Sequence, residues 1–251
     1  MSNTTAIDYF RVRLSVLAIL AGFAAAPLAN ASTSSATETH TMSEQTLSAK
    51  QLAIAPIGAS MAVGDMPRLQ QALNRGLDAG LTISESKEIL VQLYAYAGFP
   101  RSLNALSLLM SVLQEREARG IHDAPGREPG PVPSGHALLD LGTDNQTRLV
   151  GTPVRGPLFE FAPAIDQFLK GHLFGDIFAR DNLDWASREL ATVGALAAMA
   201  GVESQLASHV KVSLNVGLSV AQLQQVAAEL EQQGDPQAAQ RLATALEVLP
   251  N

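Results

Sequence analysis

The stretch SRELATVGALAAMAGVESQLASHVKVSLNVGLS, Ser187 to Ser219, decides the fold. It holds two apolar segments of helical length separated by Gly201, and it ends at a Gly217-Leu218-Ser219 break. Ala, Leu and Gln are abundant, and these residues lose little on entering a helix. The pattern predicts an αα-hairpin about Gly201, with one helix from about Asp184 to Ala200 and another from about Glu203 to Val216.

The same pattern occurs earlier in the chain. ELATVGALAAMAGVESQL from Glu189 parallels QLAIAPIGASMAVGDMPRL from Gln51. GLSVAQLQQVAAEL from Gly217 parallels GLTISESKEILVQL from Gly80, and GDPQAAQRL from Gly234 parallels GFPRSLNAL from Gly98. Thr82 and Ser219 fall where a hydroxyl accepts a hydrogen bond from the next helix's first turn. The fold class is therefore all-α: two similar helical repeats packed together, over residues 47–117 and 159–251. The pairing sets Gln51 opposite Glu189 and Ala72 opposite His209. Residues 118–158 are dense in Gly and Pro, which oppose regular helix, and are expected as an irregular crossing segment.

Composition excludes several chemistries. The chain of 251 residues has no cysteine, which rules out disulfides, thiolate nucleophiles and thiolate metal sites. The formal net charge is −7 with no clustered basic tract, so a nucleic-acid partner is not expected. His122, His136, His172 and His209 are scattered without ligand spacing, so no metal site and no cofactor are expected. At the N-terminus, Arg11 and Arg13 precede an apolar run that ends in Ala29-Asn30-Ala31. This reads as a secretory signal over residues 1–31, cleaved after Ala31, followed by a polar tether over residues 32–46. The mature protein would be periplasmic or secreted, without a membrane partner.

The hairpin carries the candidate chemistry. Glu189 and His209 lie on its two arms, offset by roughly 6 Å along the axis at about 1.5 Å rise per residue. One bridging water is the expected link, direct contact requiring the glutamate to lean toward the turn. A carboxylate beside an imidazole sets its tautomer, and such a histidine can move a proton next to a carbonyl. The plainer alternative is a structural histidine, with Glu189 favouring the positive end of its helix dipole. Arg188 suits either a bidentate grip on a substrate carboxylate or a surface ion pair. Trp185 anchors the hairpin or lines a pocket mouth. Tyr94, Tyr96 and Asn104 of the first repeat either reach the Glu-His pocket or pack an interface, while Gly98 and Pro100 stop and restart a helix.

YAGFPRSLNAL, from Tyr96 to Leu106, and the Arg188-Glu189-Leu190…His209…Asn215-x-Gly217-Leu218 run resemble the carboxymuconolactone decarboxylase family, which shares its fold with the alkyl hydroperoxide reductase D-like proteins. The resemblance implies an all-helical fold that associates as trimers or hexamers. It implies either a thiol peroxidase, whose paired cysteines are missing here, or a decarboxylase-type enzyme acting on a lactone. For the second chemistry it implies His209 as proton shuttle and Glu189 as its partner. The expected activity is thus acid–base chemistry by His209 and Glu189 on a small carboxylated or lactone-like substrate, with Arg188, Tyr96 and Trp185 binding it. A non-catalytic scaffold for a small ligand or protein partner is the alternative. The duplication, the leader and the long insertion depart from the short decarboxylases.

Overall fold

A computed structural model describes residues 46–249. The expected leader, its cleavage site and nearly all of the tether lie outside the described residues. Every regular element among the described residues is helical. Repeat one contributes α1 (Ala49–Leu52), α2 (Ile54–Val63), α3 (Met66–Asp78), α4 (Ile83–Gln92), α5 (Tyr94–Ala97) and α6 (Phe99–Ala118). Repeat two contributes α10 (Trp185–Ala198), α11 (Glu203–Asn215), α12 (Val220–Gln232) and α13 (Pro236–Glu247).

Local chemistry places these boundaries. Ser48 and Asp184 cap the paired first helices, and Thr82 and Ser219 cap α4 and α12, each of these two within a reciprocal capping box. Gly98, at φ 87°, ends α5, and Pro100 then fits the first turn of α6, where no amide donor is required.

The core is built around two helices that are buried on every side. From Ile54 to Ala62 every residue of α2 is buried, and so is every residue of α10 from Ser187 to Ala197. Such helices are stable only when surrounded, and the remaining helices of both repeats supply the surround. Two glycines let the pair approach. A Cβ on Gly58 would stand 2.3 Å from the Ala191 carbonyl oxygen, and one on Gly194 would stand 2.3 Å from that of Ala55. The reciprocity, Gly58 on Ala191 and Gly194 on Ala55, is that of two equivalent helices crossing back to back.

This crossing corrects the expected repeat register. The spacing that relates Gly58 to Gly194, and Ser48 to Asp184, places Ala53 rather than Gln51 opposite Glu189. The turn glycines Gly64 and Gly201 are out of step with the caps because Met199 and Ala200 lengthen the second turn. Beyond the turn, Ala72 does face the position of His209, and it is buried as plain core.

The crossing segment is only partly irregular. His136–Val150 forms a helix, α7, which contradicts the expectation of an irregular stretch over residues 118–158. The helix breakers cluster on either side of it, and Gly142, its only interior glycine, serves packing. A Cβ there would stand 1.8 Å from the Lys170 carbonyl oxygen. The partner is a helical run made of α8 (Pro157–Phe161), α9 (Pro163–Gln167) and a π-helix over Phe168–Ile177. Before α7 the chain is extended and bound to repeat one. Ile83 and Ser84 amides donate to the Ala124 and Pro125 carbonyls at 2.9 Å, and buried Arg116 pairs with Asp123 at 2.8 Å and Asp78 at 2.9 Å.

Candidate functional site

Asp184 starts α10 by accepting a hydrogen bond from the Ser187 amide at 2.8 Å. This fixes the helix phase that points Glu189 across the hairpin toward α11. There His209 Nδ1 meets Glu189 Oε2 at 2.7 Å, with the Glu189 side chain 1% and the His209 side chain 15% exposed. The contact is direct and needs no bridging water, because the extended glutamate spans the axial offset between the two arms. With Glu189 ionised, Nδ1 carries the proton and Nε2 is left as the free basic nitrogen.

Tyr96 of α5 completes the group. Its ring meets the imidazole edge-on, with centroids 5.4 Å apart. The residue as a whole is half-buried, but its hydroxyl oxygen is fully buried and makes no hydrogen bond of good geometry. The neighbouring Thr192 hydroxyl donates to the Arg188 carbonyl at 2.9 Å and accepts from Gln92 Nε2 at 2.8 Å, and its interaction with the phenol opposes the upward push of burial. Burial, and then the Glu189 carboxylate, raise the Tyr96 phenol above its ordinary range, so it remains a donor. Glu189 Oε1 is likewise buried without a partner. Orphaned buried polar atoms are uncommon, and here a donor and an acceptor share one small site.

Arg188 is placed differently from either expected role. It is wholly buried, donating from Nη2 to Glu88 Oε1 at 2.8 Å and to the Arg180 carbonyl at 2.8 Å, and from Nη1 to Gln92 Oε1 at 3.0 Å. Burial pushes its guanidinium down, and the Glu88 carboxylate opposes that. It is no surface ion pair: its two terminal nitrogens are taken up by Glu88 and Gln92 of repeat one and by the Arg180 carbonyl, and Nε is buried without a partner. Arg180 also donates to Glu88, at 2.9 and 3.0 Å.

Glu88, Gln92 and Thr192 were not among the expected residues. Their signal in the sequence is the spacing of Glu88 and Gln92, four apart in an apolar helix, at positions where the pattern asks for core residues.

The other expected residues lie further out. Trp185 donates from Nε1 to the Phe178 carbonyl at 3.0 Å, and Arg148 of α7 stacks on its ring at 4.7 Å. It therefore anchors the hairpin base, and it also lines an open groove with Arg148, Asn215 and Gly217. Tyr94 stacks on Phe99 at 4.2 Å and tilts onto His172 at 5.6 Å, away from His209. Asn104 is exposed on α6. An apolar groove of about 300 Å³ lies between α11 and α13, lined by Leu206, Ala207 and Ala245 but not by His209. No cluster of three metal-ligating side chains occurs among the described residues.

The carboxymuconolactone decarboxylase family model matches the chain twice, over residues 28–110 and 163–248. The two matches fall on the two repeats and leave the whole of residues 118–158 outside. No curated protein matches the chain. With two thirds of its length matched, and with the helical pair that carries Glu189 and His209 inside the second match, the chain belongs to the carboxymuconolactone decarboxylase family.

Proposed function

We propose that the protein catalyses proton transfer at a carbon beside a carbonyl in a small lactone-like or carboxylated compound, with loss of CO2 as one outcome. The observation that carries this is the 2.7 Å contact between His209 Nδ1 and a buried Glu189. Glu189 holds the ring, stabilises the imidazolium once formed, and leaves Nε2 to take the proton and return it. The missing cysteines rule out the family's thiol peroxidase chemistry.

The test is solvent deuterium uptake and CO2 release by a panel of lactones and β-keto acids. His209→Gln is expected to slow turnover at least about 100-fold, the lower end for a general base. Its melting temperature should change little, since the glutamine amide can replace Nδ1 as donor to buried Glu189. Turnover at the wild-type rate in this variant would overturn the acid–base role of His209, and no turnover of any compound by the wild type would leave the non-catalytic binding scaffold as the reading.

Association of copies is part of the proposal. Leu158 and Phe161 of α8, Ile165 of α9 and Phe168 at the start of the π-helix are 63%, 89%, 44% and 64% exposed. Clustered exposed apolar side chains of this kind mark contact sites. Phe161→Glu is expected to shift the sedimentation profile to a smaller species, and an unchanged profile would dissociate this face from assembly. The leader read at residues 1–31 supports export.

A further inference from the structure

We propose that the His209 site takes an uncharged enolisable carbonyl compound, with Tyr96 of the first repeat as the catalytic hydrogen-bond donor to its oxygen, and that its reaction is proton transfer without decarboxylation. This rests on the acid–base role of His209.

Charge around the site carries the argument. Arg180 and Arg188 share the Glu88 carboxylate on one side of the site, while on the other the Glu189 carboxylate is held by His209. The cation next to Glu189 in the chain is Arg188, whose Nη1 and Nη2 are held by Gln92, Glu88 and the Arg180 carbonyl, so that only its buried Nε is left without a partner and the bidentate fork that grips a carboxylate is closed. A substrate carboxylate would enter beside buried Glu189 with little to neutralise it, and like charges at short range in low dielectric repel strongly. A decarboxylation substrate must bring that charge into the site. A neutral ketone or lactone need not.

The unpartnered atoms match the neutral class. A carbonyl oxygen is an acceptor, and the buried Tyr96 hydroxyl is a donor without a partner beside the His209 ring. In the step, His209 Nε2 takes the α-carbon proton and the C–H electron pair forms the enolate C=C bond. The carbonyl π pair moves onto oxygen, where Tyr96 O–H stabilises it. The imidazolium then returns its proton to the same carbon or to a conjugated one. Atoms and electrons balance with no co-reactant, and the product is an epimer or a double-bond isomer. Burial keeps the phenol protonated throughout.

The experiment follows α-proton exchange into heavy water by NMR, using α-acetyl-γ-butyrolactone and the same lactone bearing a ring carboxylate. Wild type is expected to accelerate exchange of the neutral compound at least about 10-fold more than that of the carboxylate. Tyr96→Phe should lose about 100-fold on the neutral compound, as when one oxyanion donor is removed. The substitution keeps the ring and deletes only a hydroxyl without a hydrogen bond of good geometry, so its thermal melt should match wild type. Faster exchange of the carboxylated lactone would overturn the uncharged class and return Arg188 Nε, the guanidinium donor without a partner, to an anchoring role. Full activity in Tyr96→Phe would overturn the donor role. Acceleration of neither compound, or acceleration retained in His209→Gln, would overturn the acid–base reading itself.

Discussion

Glu88→Ala is expected to cost about 3–5 kcal/mol, the range for removing one partner of a buried ion pair. For a chain of this size that lowers the melting temperature by roughly 6–20 °C, at about 2–4 °C per kcal/mol. The loss is large because Glu88 is 2% exposed and receives Arg188, Arg180 and, at 3.2 Å, Asn182. Without it the Arg188 guanidinium is left in a 0% exposed position with Gln92 and a backbone carbonyl as its only acceptors. Arg180 is 32% exposed and can turn to water, so its share of the loss is small. The pairing predicts a rescue: Glu88→Leu with Arg188→Met removes both charges and fills similar volume, and such replacements are commonly neutral. Urea and thermal denaturation of the single and double variants check this. A single variant within about 1 kcal/mol of wild type would mean that solvent reaches Arg188 and that the clamp does not join the repeats.

The clamp also shows where the sequence stops being informative. The helices were legible because their signals are local: apolar periodicity, the hydroxyls Thr82 and Ser219, the punctuation by Gly201 and Gly98. The repeat was legible because those signals recur in order. Glu189 and His209 stood out as polar residues in an apolar hairpin, but whether they touch depends on a rotamer, and an axial offset alone favoured a water between them. The surroundings of Arg188 are illegible in the sequence for a deeper reason. Its partners Glu88 and Gln92 are about 100 positions away in the other repeat, and no spacing within its own helix announces them. The helix over His136–Val150 was hidden by its neighbours, since the prolines that flank it dominate the composition of the whole segment. The register was off for a similar reason, because the residues that lengthen the second turn shift an alignment of helices that are themselves featureless in Ala, Leu and Gly.

Gly194→Ala tests the crossing that holds the site together, and it sets two known effects against each other. In an open helix the change gains about 1 kcal/mol, because glycine is a poor helix former. Here the new Cβ would stand 2.3 Å from the Ala55 carbonyl oxygen and 2.8 Å from Ala55 Cα, and backbone cannot swing aside as a side-chain tip can. Overpacking a tight core costs about 1–3 kcal/mol and sometimes more, so a net loss is expected despite the propensity gain. Valine at the same position adds branching next to that backbone and should lose at least about 3 kcal/mol. Gly58→Ala, whose Cβ would stand 2.3 Å from the Ala191 carbonyl oxygen, should behave as the mirror of Gly194→Ala. Gly76→Ala is the contrast: its Cβ would press on the side-chain ends Leu81 Cδ1 at 2.8 Å and Ile57 Cδ1 at 3.0 Å, which can rotate, so its loss should be smaller. The crossing variants carry a second consequence. To relieve the clash α10 must slide or tilt against α2, and α10 bears Glu189, whose 2.7 Å contact with His209 tolerates little displacement. Proton-exchange activity should therefore fall in Gly58→Ala and Gly194→Ala even at temperatures where both remain folded, but not in Gly76→Ala. A Gly194→Ala protein more stable than wild type would mean that the two central helices are not in backbone contact, and the pairing of the repeats would have to be redrawn.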